Sequence, residues 1–269
     1  MTVRTIALIT IPMVVLAMAG CSSSELKQAN GLIAEMLLTD EGAILDESKK
    51  TNFTYILSED GETAEVTWSS GPLKNTTRTF VRVDDVNGLA VYELVSGTEE
   101  GELLVGNFDY SGFAMGEVRP NGSDDAVLGL THVGLAPTDI PTSGILTYGG
   151  VTIGVLANTG PGGDVADPFE GDVSILANFG TGAVTGTFSG LQADGAGNLS
   201  DITFAGQMSN GIATYASTSV AVGGVGATGN VLGGFYGPGA VETSGVYDIS
   251  GGTPNPIRAV GGYVASSAP

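Results

Sequence analysis

The chain has 269 residues, 42% hydrophobic and 14% charged, with 29 acidic against 9 basic side chains and a formal net charge of −20. That apolar content excludes a disordered chain, and the acidic balance excludes nucleic acid, whose phosphates need a basic face, and a polybasic contact with anionic lipid. The 43 glycines follow no triplet period, which excludes collagen, and the length leaves room for one large domain or two small ones.

Residues 1–20 read as an export signal. Arg4 supplies the positive start, and Ile6 to Leu16 is apolar apart from Thr10 and Pro12. This core is too short to remain as a membrane span. Small residues Ala19 and Gly20 then precede Cys21, the only cysteine. The run Leu16-Ala17-Met18-Ala19-Gly20-Cys21 resembles the lipobox of bacterial lipoproteins, with Met18 where leucine is usual. A lone cysteine closes no internal disulfide. The resemblance implies that Cys21 becomes the acylated N-terminus of the mature protein, where several acyl chains hold a domain firmly on a bilayer. Ser22 in the next position is not Asp, which by the bacterial sorting rule implies the outer membrane. Whether the protein faces outward or into the periplasm stays open.

Residues 21–51 are expected to form a lipidated tether and a short helix. Leu26, Ala29, Leu32, Ile33, Met36 and Leu37 fall at helical spacing between Glu25 and Leu38. From Asn52 the period changes to two. Strands are expected over 52–57, 63–69, 76–83, 89–95, 102–109, 112–118 and 126–133, with turns at Asp60-Gly61 and Asn87-Gly88. Trp68, Phe80, Tyr92, Phe108 and Phe113 are read as core. His132, the single histidine, makes neither a metal site nor a proton relay by itself. The β-rich region 52–140 is either a small separate domain or a set of strands packed against the C-terminal half.

The texture changes near Pro137 to Gly144. Residues 22–140 hold 21 acids and 7 bases, a net of −14, whereas residues 141–269 hold 8 acids and one base, a net of −7. The second region is rich in Gly, Thr, Ser, Val and Ala. Strands are expected over 144–158 (one bent strand or a hairpin), 171–179, 183–190, 198–206, 212–220, 225–231, 232–236, 241–249 and 257–265. That is the length of an eight-stranded up-and-down antiparallel barrel. Strand glycines fit its sharp coiling. The fold class is therefore all-β, a C-terminal barrel over 141–269 with an additional N-terminal antiparallel region.

Two stretches of this half resemble the barrel of the transferrin-binding protein B family of bacterial surface lipoproteins. Pro141-Thr142-Ser143-Gly144-Ile145-Leu146-Thr147-Tyr148-Gly149-Gly150 resembles its opening strand. Gly234-Phe235-Tyr236-Gly237-Pro238-Gly239-Ala240-Val241-Glu242-Thr243-Ser244-Gly245-Val246 resembles its near-terminal hairpin, G-F-Y-G-P-x-A-x-E-x-G-G, with Ser244 in place of a glycine. Between them, Ile175 to Gly186 resembles a strand–turn–strand of the family, with Asn178 for Asp. The resemblance implies a non-enzymatic, lipid-anchored barrel that binds a host or environmental protein, or an iron- or haem-type ligand. It carries over no binding residue. The motif residues Gly234, Phe235, Tyr236, Gly237, Pro238, Glu242 and Gly245 are read as structural, with Phe235 filling the core or rim. The alternative from another class is a structural envelope lipoprotein with no small-molecule ligand.

No enzyme chemistry is legible. One histidine and an acylated cysteine leave no nucleophile–base pair. Gly160-Pro161-Gly162-Gly163 lacks the lysine and the strand-to-helix context of a phosphate loop. The acidic run Gly163 to Asp172 lacks the spacing of a calcium loop and reads as solvated. No cofactor, no metal and a monomeric state are expected.

Overall fold

The computed structural model describes residues 35–39, 42–46, 53–58, 60–68, 73–86, 89–121, 127–158, 165–193, 197–209, 213–251 and 257–267. Cys21 and the whole of the export segment lie outside these residues, as does most of the expected helix.

The alternation of the second half, interrupted by bulges near Gly171, Gly206 and Thr218, closes a barrel. Its strands are β10 (Ile145–Asn158), β11 (Val165–Asn178), β12 (Ala183–Ala193), β14 (Ile202–Met208), β15 (Thr214–Val222), β16 (Val225–Tyr236), β17 (Glu242–Gly251) and β18 (Ile257–Ser267). A two-residue piece, β13 (Gly197–Asn198), extends β12. Neighbours pair antiparallel, and pairing of β10 with β18 and of β11 with β12 closes the ring of eight. Closure leaves no free edge, which removes the main liability of a glycine-rich sheet with weak register.

Alternate residues turn inward. Val173, Ile175 and Ala177 of β11 and Val184 and Phe188 of β12 join Phe204, Tyr215, Phe235, Tyr247 and Tyr263 in one buried core. Outward residues such as Thr185, Thr203, Gln207 and Thr218 are exposed. On these strands an apolar inside and a polar outside is the reverse of a membrane-spanning barrel. The rings occupy the axis because facing strands carry glycine: a β-carbon at Gly245 would lie 2.3 Å from the Tyr263 hydroxyl oxygen, and one at Gly186 would lie 2.2 Å from the Phe204 ring.

The N-terminal half is a curled meander. It runs β3 (Phe53–Leu57), β4 (Thr63–Trp68), β5 (Thr76–Val86), β6 (Leu89–Leu94), β7 (Glu99–Asn107), β8 (Ser111–Pro120) and β9 (Val127–Gly134), each paired antiparallel to the next. A hairpin of β1 (Glu35–Thr39) and β2 (Gly42–Asp46) adds to β9. Over β6 to β9 this sheet buries both faces. One face, with Tyr55, Trp68, Phe80, Tyr92, Leu103 and Val105, folds on itself. The other, with Leu89, Val91, Leu104, Phe113, Met115 and Leu130, packs on Ile153, Val246, Val260 and Val264 of the barrel's outer wall. Region 52–140 is thus packed on the barrel.

Several expectations need correction. Glu35 to Leu38, the last turn of the expected helix, is strand; Met36 pairs with Leu45 and Leu128. Periodicity over so few residues does not decide between helix and strand. The acidic run ending at Asp172 is no loop from Val165 on, because β11 extends through it and pairs with β10 up to Asn158. Pro168 is tolerated there because it lies one residue beyond the last pairing of β11 with β12, so one side of the strand needs no donor. Residues 144–158 are one strand from Ile145, and 225–236 are one strand across the expected break at Leu232.

Candidate functional site

The motif hairpin was the most conspicuous candidate, and its side chains part company by strand alternation. Phe235 turns inward. Its ring lies 5.5 Å from that of Tyr148, 5.2 Å from Phe179 and 5.0 Å from Tyr215. Opposite it Thr243 donates to the Gly234 carbonyl at 2.8 Å and bonds the Tyr215 hydroxyl at 2.9 Å, and Tyr215 bonds Tyr263 at 2.5 Å. Tyr247 meets Thr152 at 2.8 Å, and Tyr148 donates to the Ala240 carbonyl at 2.7 Å. All four inward tyrosines are thereby partnered, and burial raises the pKa of each. The barrel interior is a polar-stitched aromatic core.

Tyr236, Glu242 and Ser244 turn outward, toward the meander. Gly234 beneath them leaves room for the Tyr236 ring: a β-carbon there would sit 2.6 Å from that hydroxyl. Tyr236 crosses to β9, where the ring occupies the space a β-carbon at Gly134 would need, 2.1 Å away. Its hydroxyl shares a 2.8 Å hydrogen bond with His132 Nδ1. Burial lowers the His132 pKa to about 4, so the ring is neutral at neutral pH. Glu242 Oε2 accepts from the Tyr110 amide and from Ser111 Oγ, both at 2.9 Å. Burial holds this carboxyl above its usual range, and those two bonds partly offset the effect. Ser244 Oγ donates to the Val133 carbonyl at 3.3 Å.

The turn completes the contact. Gly237 has φ 73°, a left-handed value that glycine adopts without strain, and a β-carbon on it would lie 2.6 Å from the Tyr110 ring. Its amide donates to the Leu135 carbonyl at 3.1 Å, while the Leu135 amide donates to Tyr110 at 2.9 Å. Pro238 begins the 3-10 turn Pro238–Ala240. Gly245 faces inward beneath Tyr263. The seven motif residues therefore divide. Phe235 and Gly245 build the barrel core, Pro238 shapes the turn, and Gly234, Tyr236, Gly237 and Glu242 fasten the meander to the barrel.

Tyr110 and Ser111 are partners that the sequence did not single out, and His132 stands out there only as the single histidine. All three lie more than 100 positions from the motif residues they bond, and nothing local marks that contact. Among the described residues no three His, Cys, Asp or Glu side chains are placed to hold a metal ion.

No family profile and no curated protein matches the chain. Among solved structures, a double mutant of transferrin-binding protein B from Haemophilus parasuis Hp5 superposes with a TM-score of 0.52 at 12% identity over 88% of this chain. The chain has the transferrin-binding protein B fold. It spans only 45% of that protein's length, yet the match takes in most of the meander as well as the barrel. The transferrin-binding protein B of serogroup B Neisseria meningitidis gives a TM-score of 0.45 at 14% identity, covering 81% of this chain and 52% of that one. The haemoglobin receptor HpuA of Kingella denitrificans gives 0.45 at 14%, covering 93% and 90%.

Proposed function

We propose that this protein is a non-enzymatic lipoprotein of the bacterial outer membrane, held by acyl chains on Cys21, that binds a host or environmental protein. A role in acquiring iron or haem is the finer form of this reading. The observation that carries it is the solid barrel. Its axis is filled by Phe188, Phe204, Phe235, Tyr247 and Tyr263, so recognition falls to outer surfaces and loops, as suits a protein partner. The polar outer face of β12, β14 and β15 supports attachment by a lipid anchor, because the apolar part of the barrel's outer wall, Ile153, Val246, Val260 and Val264, is covered by the meander. The shared fold adds a precedent, since transferrin-binding protein B is named for such a partner.

Two measurements test the parts separately. Cys21→Ala is expected to give a folded protein that leaves the membrane fraction, and unchanged membrane association would refute the anchor. Immobilised transferrin, haemoglobin and haem are expected to retain the protein above an unrelated acidic lipoprotein. Absence of enrichment on all three, together with resistance to protease added to intact cells, would favour a structural role inside the envelope.

A further inference from the structure

The curl of the meander brings β3, its first strand, against β9, its last, although the two exchange no ladder hydrogen bonds. Each carries a hydroxyl that the fold leaves unmatched. Tyr55 on β3 is 1% exposed and Thr131 on β9 is 0% exposed, and neither hydroxyl oxygen has a hydrogen-bond partner among the described residues. Both aim into the same core. Tyr55 belongs to it directly, and Thr131 lies two positions from Val133 and opposite Ala114, both of which belong to it. Elsewhere the chain matches such groups: Tyr92, in this same core, donates to the Gly61 carbonyl at 2.9 Å, and all four barrel tyrosines are partnered.

Buried hydroxyls left bare are rare in native folds, and the usual partner where protein atoms fail is an internal water. A water needs polar contacts on more than one side, and two hydroxyls reaching one core from strands that abut supply them. The guest is taken as uncharged, because the charged side chains beside this core, Arg78 with Glu99 and Arg82 with Asp85, neutralise one another in ion pairs, and burial beside the Tyr92 and Tyr236 hydroxyls keeps the Tyr55 phenol protonated. It must also donate and accept, since each hydroxyl can do either. The rest of this core is apolar apart from the Trp68 indole and the Tyr92 hydroxyl, which the Gly61 carbonyl already takes.

We propose that the seam between β3 and β9 is an internal hydration site, in which a long-lived water bridges Tyr55 Oη and Thr131 Oγ1 and ties the first strand of the curl to the last. The water takes the place of the strand–strand bonds that close the barrel. It makes Tyr55 and Thr131 a coupled pair rather than two isolated costs.

The test is Tyr55→Phe, Thr131→Val and their combination in the intact protein, all three keeping side-chain shape. Oxygen-17 relaxation dispersion counts internal waters of long residence. The double variant is expected to lose at least one of those the parent holds. Each single substitution is expected to lower the unfolding midpoint, and the double to lower it by less than their sum. Retention of every long-lived water in the double variant would overturn the proposal, as would midpoints that stay level or rise in both singles. If the double variant does not fold, the water count of Tyr55→Phe decides in the same way.

Discussion

The two halves solve the same problem, burying a sheet, by opposite means. The barrel closes on itself, so its strands need only one apolar face except where β10, β17 and β18 meet the meander, and its core is aromatic rings seated on glycine. The meander is open. Its strands β6 to β9 are apolar on both faces, one for its own curl and one for the barrel wall. Charge follows this division. Residues 173–241, which run through the barrel from β11 to the motif turn, carry only Asp194 and Asp201 as charged residues. In the meander Glu93, Glu102 and Glu117 stand directly opposite one another on three successive strands. The contrast teaches that the barrel is the self-sufficient body and the meander depends on it for its second layer.

The largest expected effect breaks the barrel's side of that contrast. In Gly245→Val the β-carbon alone would fall 2.2 Å from the Leu232 carbonyl oxygen and 2.3 Å from the Tyr263 hydroxyl, and backbone cannot yield there cheaply. A loss of more than about 4 kcal/mol, or failure to fold, is expected. Gly149→Ala is the control, because nothing lies within 4 Å of its added carbon, and its effect is expected to stay within about 0.5 kcal/mol. Denaturant unfolding of both variants measures the difference. Equal losses would mean that close approach is not what glycine provides here.

Phe113→Ala tests the dependence of the meander. Phe113 is fully buried between the halves, with its ring in the space that a β-carbon at Gly262 would occupy, 2.7 Å from it. Truncation is expected to cost about 3–5 kcal/mol. If the barrel stands alone, unfolding should split into two transitions, with the meander melting first. A single lowered transition would show that neither half is stable without the other.

How much of this was legible in the chain depends on the range of the interaction. Alternation and glycine corners are local, and they marked the barrel strands, although Leu232 and the run before Asp172 hid the continuity of long strands. Of the five aromatics read as core, Trp68, Phe80, Tyr92 and Phe113 are buried, whereas Phe108, just beyond the end of β7, is only partly buried. The double use of the meander's faces was not legible, because Val91 and Leu104 acquire a second layer only when the barrel wall arrives. Nor was the fastening role of Tyr236 and Glu242. Sequence can mark a motif as structural, but it does not say what the motif touches when its partners are Tyr110, Ser111 and His132.

The His132–Tyr236 bond sharpens the comparison through pH. The imidazole titrates near 6.5 when unfolded and at about 4 in the fold, where burial opposes its charge. Between these values the unfolded chain binds the extra proton, so stability falls as pH drops from 6.5 and the loss is complete below 4. At 1.36 kcal/mol for each pH unit between the two values, the loss is roughly 3 kcal/mol. Glu242 works the other way, because its raised pKa adds stability as pH falls. Subtracting the stability curve of His132→Gln from that of the parent removes this term. The difference is expected to fall between pH 6.5 and 4, and a flat difference would place His132 in contact with water.

The smallest effect concerns the glutamate row. Glu102 faces Glu93 on one side and Glu117 on the other, and burial first, then these two charges, raise its pKa. A raised carboxyl pKa penalises the native state once pH climbs above the unfolded value, so the cost is present at pH 7 and vanishes in acid. Glu102→Gln keeps the shape and removes the charge. It is expected to stabilise the protein at pH 7 by about 0.5 kcal/mol, the scale of like charges directly opposed on a sheet, and to do nothing at pH 3. Arg119 lies 3.8 Å from Glu117 and 3.6 Å from Glu100, and its opposing effect on Glu102 is smaller than those of burial and the two carboxylates. A destabilised variant at pH 7 would mean that the charge at Glu102 is used by the fold. The meander would then be acidic by structural need, in contrast to the nearly uncharged barrel strands beside it.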